Sequence, residues 1–338
     1  MMVSVTTSRS LALILLLTPT LLCAQKPDKH AEKAMAGPRA TALRLATLYI
    51  APDTASQHVD RVQEGRELVV AETSGAWIRV FANTDQEEVD ERDAPVFGQE
   101  TAPPPVSGWM QAKGVIRETD PAGDQVLMGE AINLEILAED ARGPRNAGQS
   151  ARFLYRRLTE FYPNSPLAAE AAWRAADIRW QFEKADASRR PSAKERDPYL
   201  REQLYEDEMK KVIKTWPHTR QADLAAFALI DNKLCGDWQG QEKCPEKESQ
   251  IYEAFAKDHP DGPRTAQALY QAVYRQAVLC DMYRADDSQK KADSAHAHAK
   301  ELAATLVSKF PTAEFTSRAA TLIYKLDQGV AVYGSDRE

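Results

Sequence analysis

The sequence predicts a multidomain chain in which a small all-β barrel is followed by an all-α helical-hairpin solenoid. Three observations predict it. Short aliphatic and aromatic runs separated by turn signals fill residues 39–118, helical periodicity replaces them from Gln125 onward, and four later segments align with one another on a proline. The 338 residues are 43% apolar and 28% charged, a composition of folded domains, and the length allows two or three cores. Forty-three Lys and Arg against 50 Asp and Glu leave a formal net charge of −7. That balance excludes a globally basic nucleic-acid binder.

Residues 1–24 read as a secretory signal peptide. Arg9 is the one charge before residues 11–22, an apolar run of twelve that carries Pro19 and is too short to span a bilayer. The chain turns polar at Gln25. Cleavage after Ala24 leaves a soluble exported protein; alternatively Cys23 becomes a lipid-bearing first residue, as in bacterial lipoproteins, and that anchor is then the only membrane contact expected. The expected location is the periplasm or cell envelope. Residues 25–38 are read as a flexible linker.

Residues 39–118 carry the β pattern. Strands are expected at 42–50, 59–62, 68–71, 77–81 and 109–111, with turns at Ala51-Pro52-Asp53, Glu64-Gly65 and Ser74-Gly75. An acidic, Pro-rich insert at 83–107 holds Asp85, Glu87, Glu88, Asp90, Glu91 and Asp93. It lacks the ordered acids and central glycine of a calcium loop and reads as a solvated loop. The run LYIAPDTASQHVDRVQEGRELVVAETSGAWIRV, followed by GWMQAKGVI, resembles a bacterial SH3 (SH3b) domain. That resemblance implies an SH3-like barrel that binds wall peptides or protein ligands, with a groove lined by Trp77 and Trp109; Trp109 and Tyr49 are the candidate ligand-contacting residues, while Trp77 is read instead as filling a small core.

Residues 119–144 are read as a linker and first helix, with Leu127, Ala131, Leu134 and Ala138 on one face. The repeating part is placed at 145–328, and 329–338 is a C-terminal tail. Pro163, Pro217, Pro260 and Pro311 anchor four alignable segments. Each has an apolar residue five positions earlier (Leu158, Val212, Phe255, Leu306) and an alanine eight later (Ala171, Ala225, Ala268, Ala319). Such a unit is a helix stopped by proline, a short turn and an antiparallel partner brought close by the small alanine. The stretch 183–200, with its two prolines, is expected to be a solvated loop. The segments resemble tetratricopeptide-like repeats of the kind in bacterial envelope proteins of the BamD and Tol-Pal coordinator CpoB type. Their Pro-to-Pro spacings of 54, 43 and 51 residues depart from the ~34 of that family. Tyr155, Trp173, Trp180, Trp216, Phe227 and Tyr270 are assigned mainly to the core.

Four cysteines are present. Cys235 and Cys244 bracket a turn between helical patterns, and in an exported protein a disulfide across it is favoured over two free thiols. Cys280 falls on an apolar helical face and reads as a buried thiol. A zinc site of Cys235, Cys244 and His259 is disfavoured because metal-site cysteine pairs stand closer together. No dinucleotide-binding, phosphate-loop, HExxH or GxSxG motif occurs. The expected function is therefore non-enzymatic and without cofactor: an exported envelope scaffold or adaptor that binds protein or peptide partners. Two alternatives remain beside it, a peptidoglycan-associated protein and an enzyme with an unrecognised site near 182–204.

Overall fold

The computed structural model describes residues 37–82, 84–85 and 105–333. The signal peptide, Cys23, nearly all of the 25–38 linker, most of the acidic insert and the end of the tail lie outside the described residues. Seven strands form one antiparallel sheet: β1 (Arg39–Ala42), β2 (Ala46–Tyr49), β3 (His58–Val62), β4 (Glu67–Ser74), β5 (Trp77–Ala82), β6 (Val106–Gln111) and β7 (Val115–Arg117). Their order is β3-β2-β6-β5-β4-β1-β7. The edge strands β3 and β7 do not pair with each other, so the sheet stays open. This corrects the SH3-like barrel and with it the SH3b assignment.

The reason lies in the run 42–50, expected as one strand. It breaks between Ala42 and Ala46, where the Leu43 N–H donates to Gly114 O (2.9 Å) and the Leu45 N–H to Glu64 Oε1 (2.9 Å). Before the break the chain pairs with β4 and β7; after it, with β3 and β6. Along each strand, alternate residues supply a core of Leu48, Val62, Leu68, Val70, Ile78, Val80 and Met110.

Nine helices follow among the described residues: α1 (Gly123–Glu139), α2 (Ala147–Phe161), α3 (Ala168–Ala187), α4 (Asp207–Thr215), α5 (Arg220–Ala228), α6 (Lys243–Asp258), α7 (Thr265–Ala285), α8 (Gln289–Lys309) and α9 (Glu314–Asp327). None of them is long and apolar enough to cross a membrane. Tyr162, Trp216, His259 and Phe310 end α2, α4, α6 and α8 with φ between −131° and −125°, each N–H donating to the carbonyl four residues back. Proline follows each one and drives the residue before it out of the α region.

The tetratricopeptide assignment, and the likeness to BamD and CpoB drawn from it, are corrected too. The paired helices hold 15 and 20, 9 and 9, 16 and 21, and 21 and 14 residues, where a repeating solenoid needs near-constant units. What stands is an open sheet followed by a multi-helix region. Nor is 183–200 a free loop. It completes α3, then makes two short 3₁₀ turns, Pro191–Lys194 and Pro198–Leu200.

Sheet and helices belong to one unit from Gly37 onward. Arg157 of α2, with 1% of its side chain exposed, reaches Glu67 of β4 (2.6 Å), Asp85 (3.3 Å) and Glu160 (2.5 Å). Arg39 also pairs with Glu67, and Arg66 with Asp85 (3.2 Å). The Tyr162 hydroxyl donates to Arg117 O (2.8 Å), and the Ser150 hydroxyl to Glu64 Oε2 (3.0 Å).

Candidate functional site

The irregular segment between α3 and α4 is a ridge that lends residues 201–204 to the lining of one cavity and Tyr205 to that of another. A buried asparagine holds the ridge in place. Asn232 Oδ1 accepts from the Leu204 N–H (2.9 Å), and its Nδ2 donates to Leu204 O (2.9 Å) and Glu206 Oε1 (2.8 Å). The amide thus pairs with the backbone as a neighbouring strand would. On the other side of the ridge, the Tyr205 N–H donates to Glu183 Oε2 (2.6 Å), and Arg179 lies 3.8 Å from the Tyr205 ring centroid.

One cavity, of about 340 Å³, lies between the end of α3, the ridge, α5, α6 and α7. Its lining includes Lys184, Arg201, Gln203, Asp231, Gln267 and Arg275. The other, of about 460 Å³, has Ala172, Ala175, Val212 and Trp216 among its apolar lining and Arg156, Glu160, Glu208 and Lys211 as charged members. A third concavity of about 520 Å³ beside α8 is polar. Its titratable groups are already engaged with one another, His298 with Glu253 (3.0 Å) and Tyr283 with Glu246.

The wall of the 340 Å³ cavity is built by the cysteine loop. Cys235 and Cys244 are joined in a disulfide, with Cα atoms 6.1 Å apart. Glu248, buried on α6, organises the loop: its Oε1 accepts from the Cys235 N–H (2.9 Å) and Trp238 Nε1 (3.1 Å), and its Oε2 pairs with Arg275 Nε (3.1 Å). The Arg275 guanidinium sits among the Trp238, Tyr252 and Tyr274 rings, 5.0–5.6 Å from their centroids. Gly236 then passes so close to the 3₁₀ segment that a Cβ would lie 2.5 Å from Ala193 O and 2.6 Å from Glu195 O. Its N–H donates to that same Glu195 O (3.1 Å). Removing both loop cysteines by Cys235→Ser and Cys244→Ser is expected to cost roughly 2–3 kcal/mol, the chain-entropy value for a loop of this length. Urea unfolding of the variant, and of the wild type with and without reductant, checks it.

The cavity lining is largely polar and charged. It holds no histidine, its one cysteine is tied in the disulfide, and Ser188 donates its hydroxyl to Ala185 O (2.8 Å). The stretch near 182–204 borders a cavity, as the enzyme alternative requires, and the titratable groups on its lining are Lys184, Arg201, Glu202, Asp231, Tyr252 and Arg275. Among the described residues, no three His, Cys, Asp or Glu side chains converge to hold a metal ion.

Tyr49 and Trp109 lie on the sheet, outside all three cavities. They are register partners on β2 and β6, and the Tyr49 ring meets His58 and Trp77 edge-on at 5.0 and 5.6 Å. Cys280 is buried on α7, and burial pushes its thiol pKa up. His296 and His298 of α8 face different helices: His296 pairs with Asp327 (2.9 Å) and His298 with Glu253. Sequence reasoning did not single out Arg201, Asn232, Glu248 or Arg275. Arg201 stands at the end of a charged run that reads as solvated, and nothing in its neighbours marks it. The CGDWQGQEKC loop was the one signal pointing to this wall.

No protein-family model and no curated protein matches the chain. Among solved structures, one titled "DHF79 filament" is 14% identical over 59% of this chain and 95% of its own, with a TM-score of 0.21. At that TM-score the likeness carries no argument about this chain's fold.

Proposed function

We propose that the chain is an exported, non-enzymatic binding protein of the cell envelope that holds a segment of a partner protein across the ridge between its two cavities. One observation carries this reading. Tyr199 and Leu200 stand directly before the cavity-lining residues of the ridge, 83% and 64% exposed, in a segment whose backbone is held by the Gln203 and Asn232 side chains. Adjacent large apolar side chains held open next to a cavity-lining segment are a contact surface for another chain. The apolar patch of the 460 Å³ cavity offers room for a partner side chain, and the polar cavity offers hydrogen-bond donors.

Export is supported by the leader pattern of residues 1–24, and a disulfide fits an oxidising compartment. The intact mass of the protein from its native host tests it. A chain starting at Gln25, or at an acylated Cys23, is the expected result, and an uncleaved chain overturns export. Binding is tested with a photo-crosslinking residue placed at Tyr199 and, as a control, at Tyr324 of α9, which is 66% exposed. A discrete adduct in the native host from Tyr199 alone is expected. Identical patterns from both positions overturn the ridge as the binding surface.

A further inference from the structure

We infer that Arg201 recognises a carboxylate on the bound peptide segment, with an apolar neighbour of that carboxylate resting on Tyr199 and Leu200. This rests on the binding reading above and names the chemistry that the smaller cavity selects.

The charges around that cavity show why. Lys184 is paired with Asp231 (2.9 Å), and Arg275 with Glu248. Glu202 is paired with Arg190 (3.0 Å). Arg201, half-buried in the same wall, has no carboxylate partner among the described residues. Its Nη1 donates to Leu234 O (2.8 Å), and its Nε is buried with no partner at all. A guanidinium taken partly out of water and left uncompensated is costly unless something outside the fold completes it. Gln267, on the same lining, has its Oε1 engaged by Arg264 (3.0 Å), which leaves its amide NH₂ without a protein partner. A fork of N–H donors with an added amide N–H suits a planar acceptor with two oxygens.

The size of the charge separates carboxylate from phosphate. One unpaired positive charge matches one negative charge. A phosphate carries nearly two and would meet Asp231 and Glu202 on the same lining. The apolar part follows from chain connectivity, because Tyr199 and Leu200 directly precede Arg201. A peptide laid along the ridge therefore meets an aromatic and aliphatic ledge within a residue or two of the guanidinium.

The test uses the folded, ¹⁵N-labelled protein and the Arg Nε–Hε region of its NMR spectrum, with the Arg201 peak assigned by its loss in Arg201→Gln. N-acetyl-phenylalanine is titrated against its amide, which lacks the charge. The acid is expected to move the Arg201 peak saturably with a dissociation constant on the order of 1 mM, and the amide to bind at least tenfold more weakly. N-acetyl-phenylalanyl-aspartic acid diamide, whose only carboxylate is on the side chain, separates the two sources. Binding of this probe instead of, or as well as, the first supports the inference and identifies an internal acidic residue. Arg201→Gln, followed by the backbone amide peaks of residues 199–204, removes the charge and the fork and is expected to bind acid and amide equally weakly. Inorganic phosphate shifting the peak as far at equal concentration, or no shift with either carboxylate, overturns the inference. If the Tyr199 crosslink persists in that case, the binding reading stands and only the carboxylate assignment falls.

Discussion

Arg157→Met is expected to destabilise the protein by about 3 kcal/mol at pH 7, read as a shift in the urea midpoint without a change in slope. The side chain is nearly completely buried between α2 and the sheet, and it is the shared partner of Glu67, Asp85 and Glu160. Methionine fills similar space but strands those carboxylates. The figure sits at the low end for breaking a buried network because Arg39 still meets Glu67 and Arg66 still meets Asp85.

The pH dependence adds a signature. Burial alone would raise the Glu67 carboxyl, but the Arg39 hydrogen bond and the Arg157 and Arg39 charges together hold it below its ordinary value. At Asp85 burial wins over the Arg157 and Arg66 charges, and its pKa is raised. A depressed acid contributes stability that is present above its unfolded pKa and lost as pH falls through its folded one; a raised acid does the opposite. Removing Arg157 moves both carboxyls upward. The deficit of the variant is therefore expected to be largest near neutrality and to shrink as pH falls through the raised values. Adding Glu67→Gln to Arg157→Met is expected to recover part of the loss. A deficit independent of pH would mean that Arg157 acts by packing alone.

The local grammar of the chain was legible, and its closure was not. The positions of β3, β4 and β5, the turns at Glu64-Gly65 and Ser74-Gly75, and the helix stops before Pro163, Pro217, Pro260 and Pro311 follow from propensity and short-range sterics. Whether seven strands close into a barrel depends on which edges meet. That was decided by contacts of Leu43 and Leu45 with Gly114 and Glu64, which no local pattern records. The ridge and its cavities were hidden for a similar reason. Asn232 pairs with Leu204 across 28 residues, and Arg201 reaches Leu234 across 33. In a single sequence, a charged residue that will be half-buried looks like one that will be solvated. The cysteine loop was the exception, because export and spacing together nominate a bridge before any fold is known.

Gly65→Ala is expected to cost about 2–5 kcal/mol, and its unfolding curve tests whether sheet and helices fold as one body. Two penalties combine. Gly65 has φ of +77°, where any residue with a Cβ is strained by ~1–2 kcal/mol. An added Cβ would also lie 2.5 Å from Phe153 Cβ and 2.6 Å from the Leu154 nitrogen on α2, and backbone of a buried helix does not yield cheaply. Gly75→Ala separates the terms. Gly75 also has positive φ (+59°) but nothing within 4 Å of its Cβ position, so that variant carries the conformational penalty alone. The excess loss at Gly65 over Gly75 measures the turn's seat on α2. Because the same turn carries Glu64, which binds both Leu45 and Ser150, lifting it loosens the break between β1 and β2 as well as the helix beneath. Amide hydrogen exchange of the β4 and β5 strands, a sheet signal, and far-UV helicity are expected to shift together against urea in Gly65→Ala. Loss of the sheet signal at lower urea than the helical signal would show two bodies that unfold separately. α2 would then keep Arg156 and Glu160 at the larger cavity without help from the sheet.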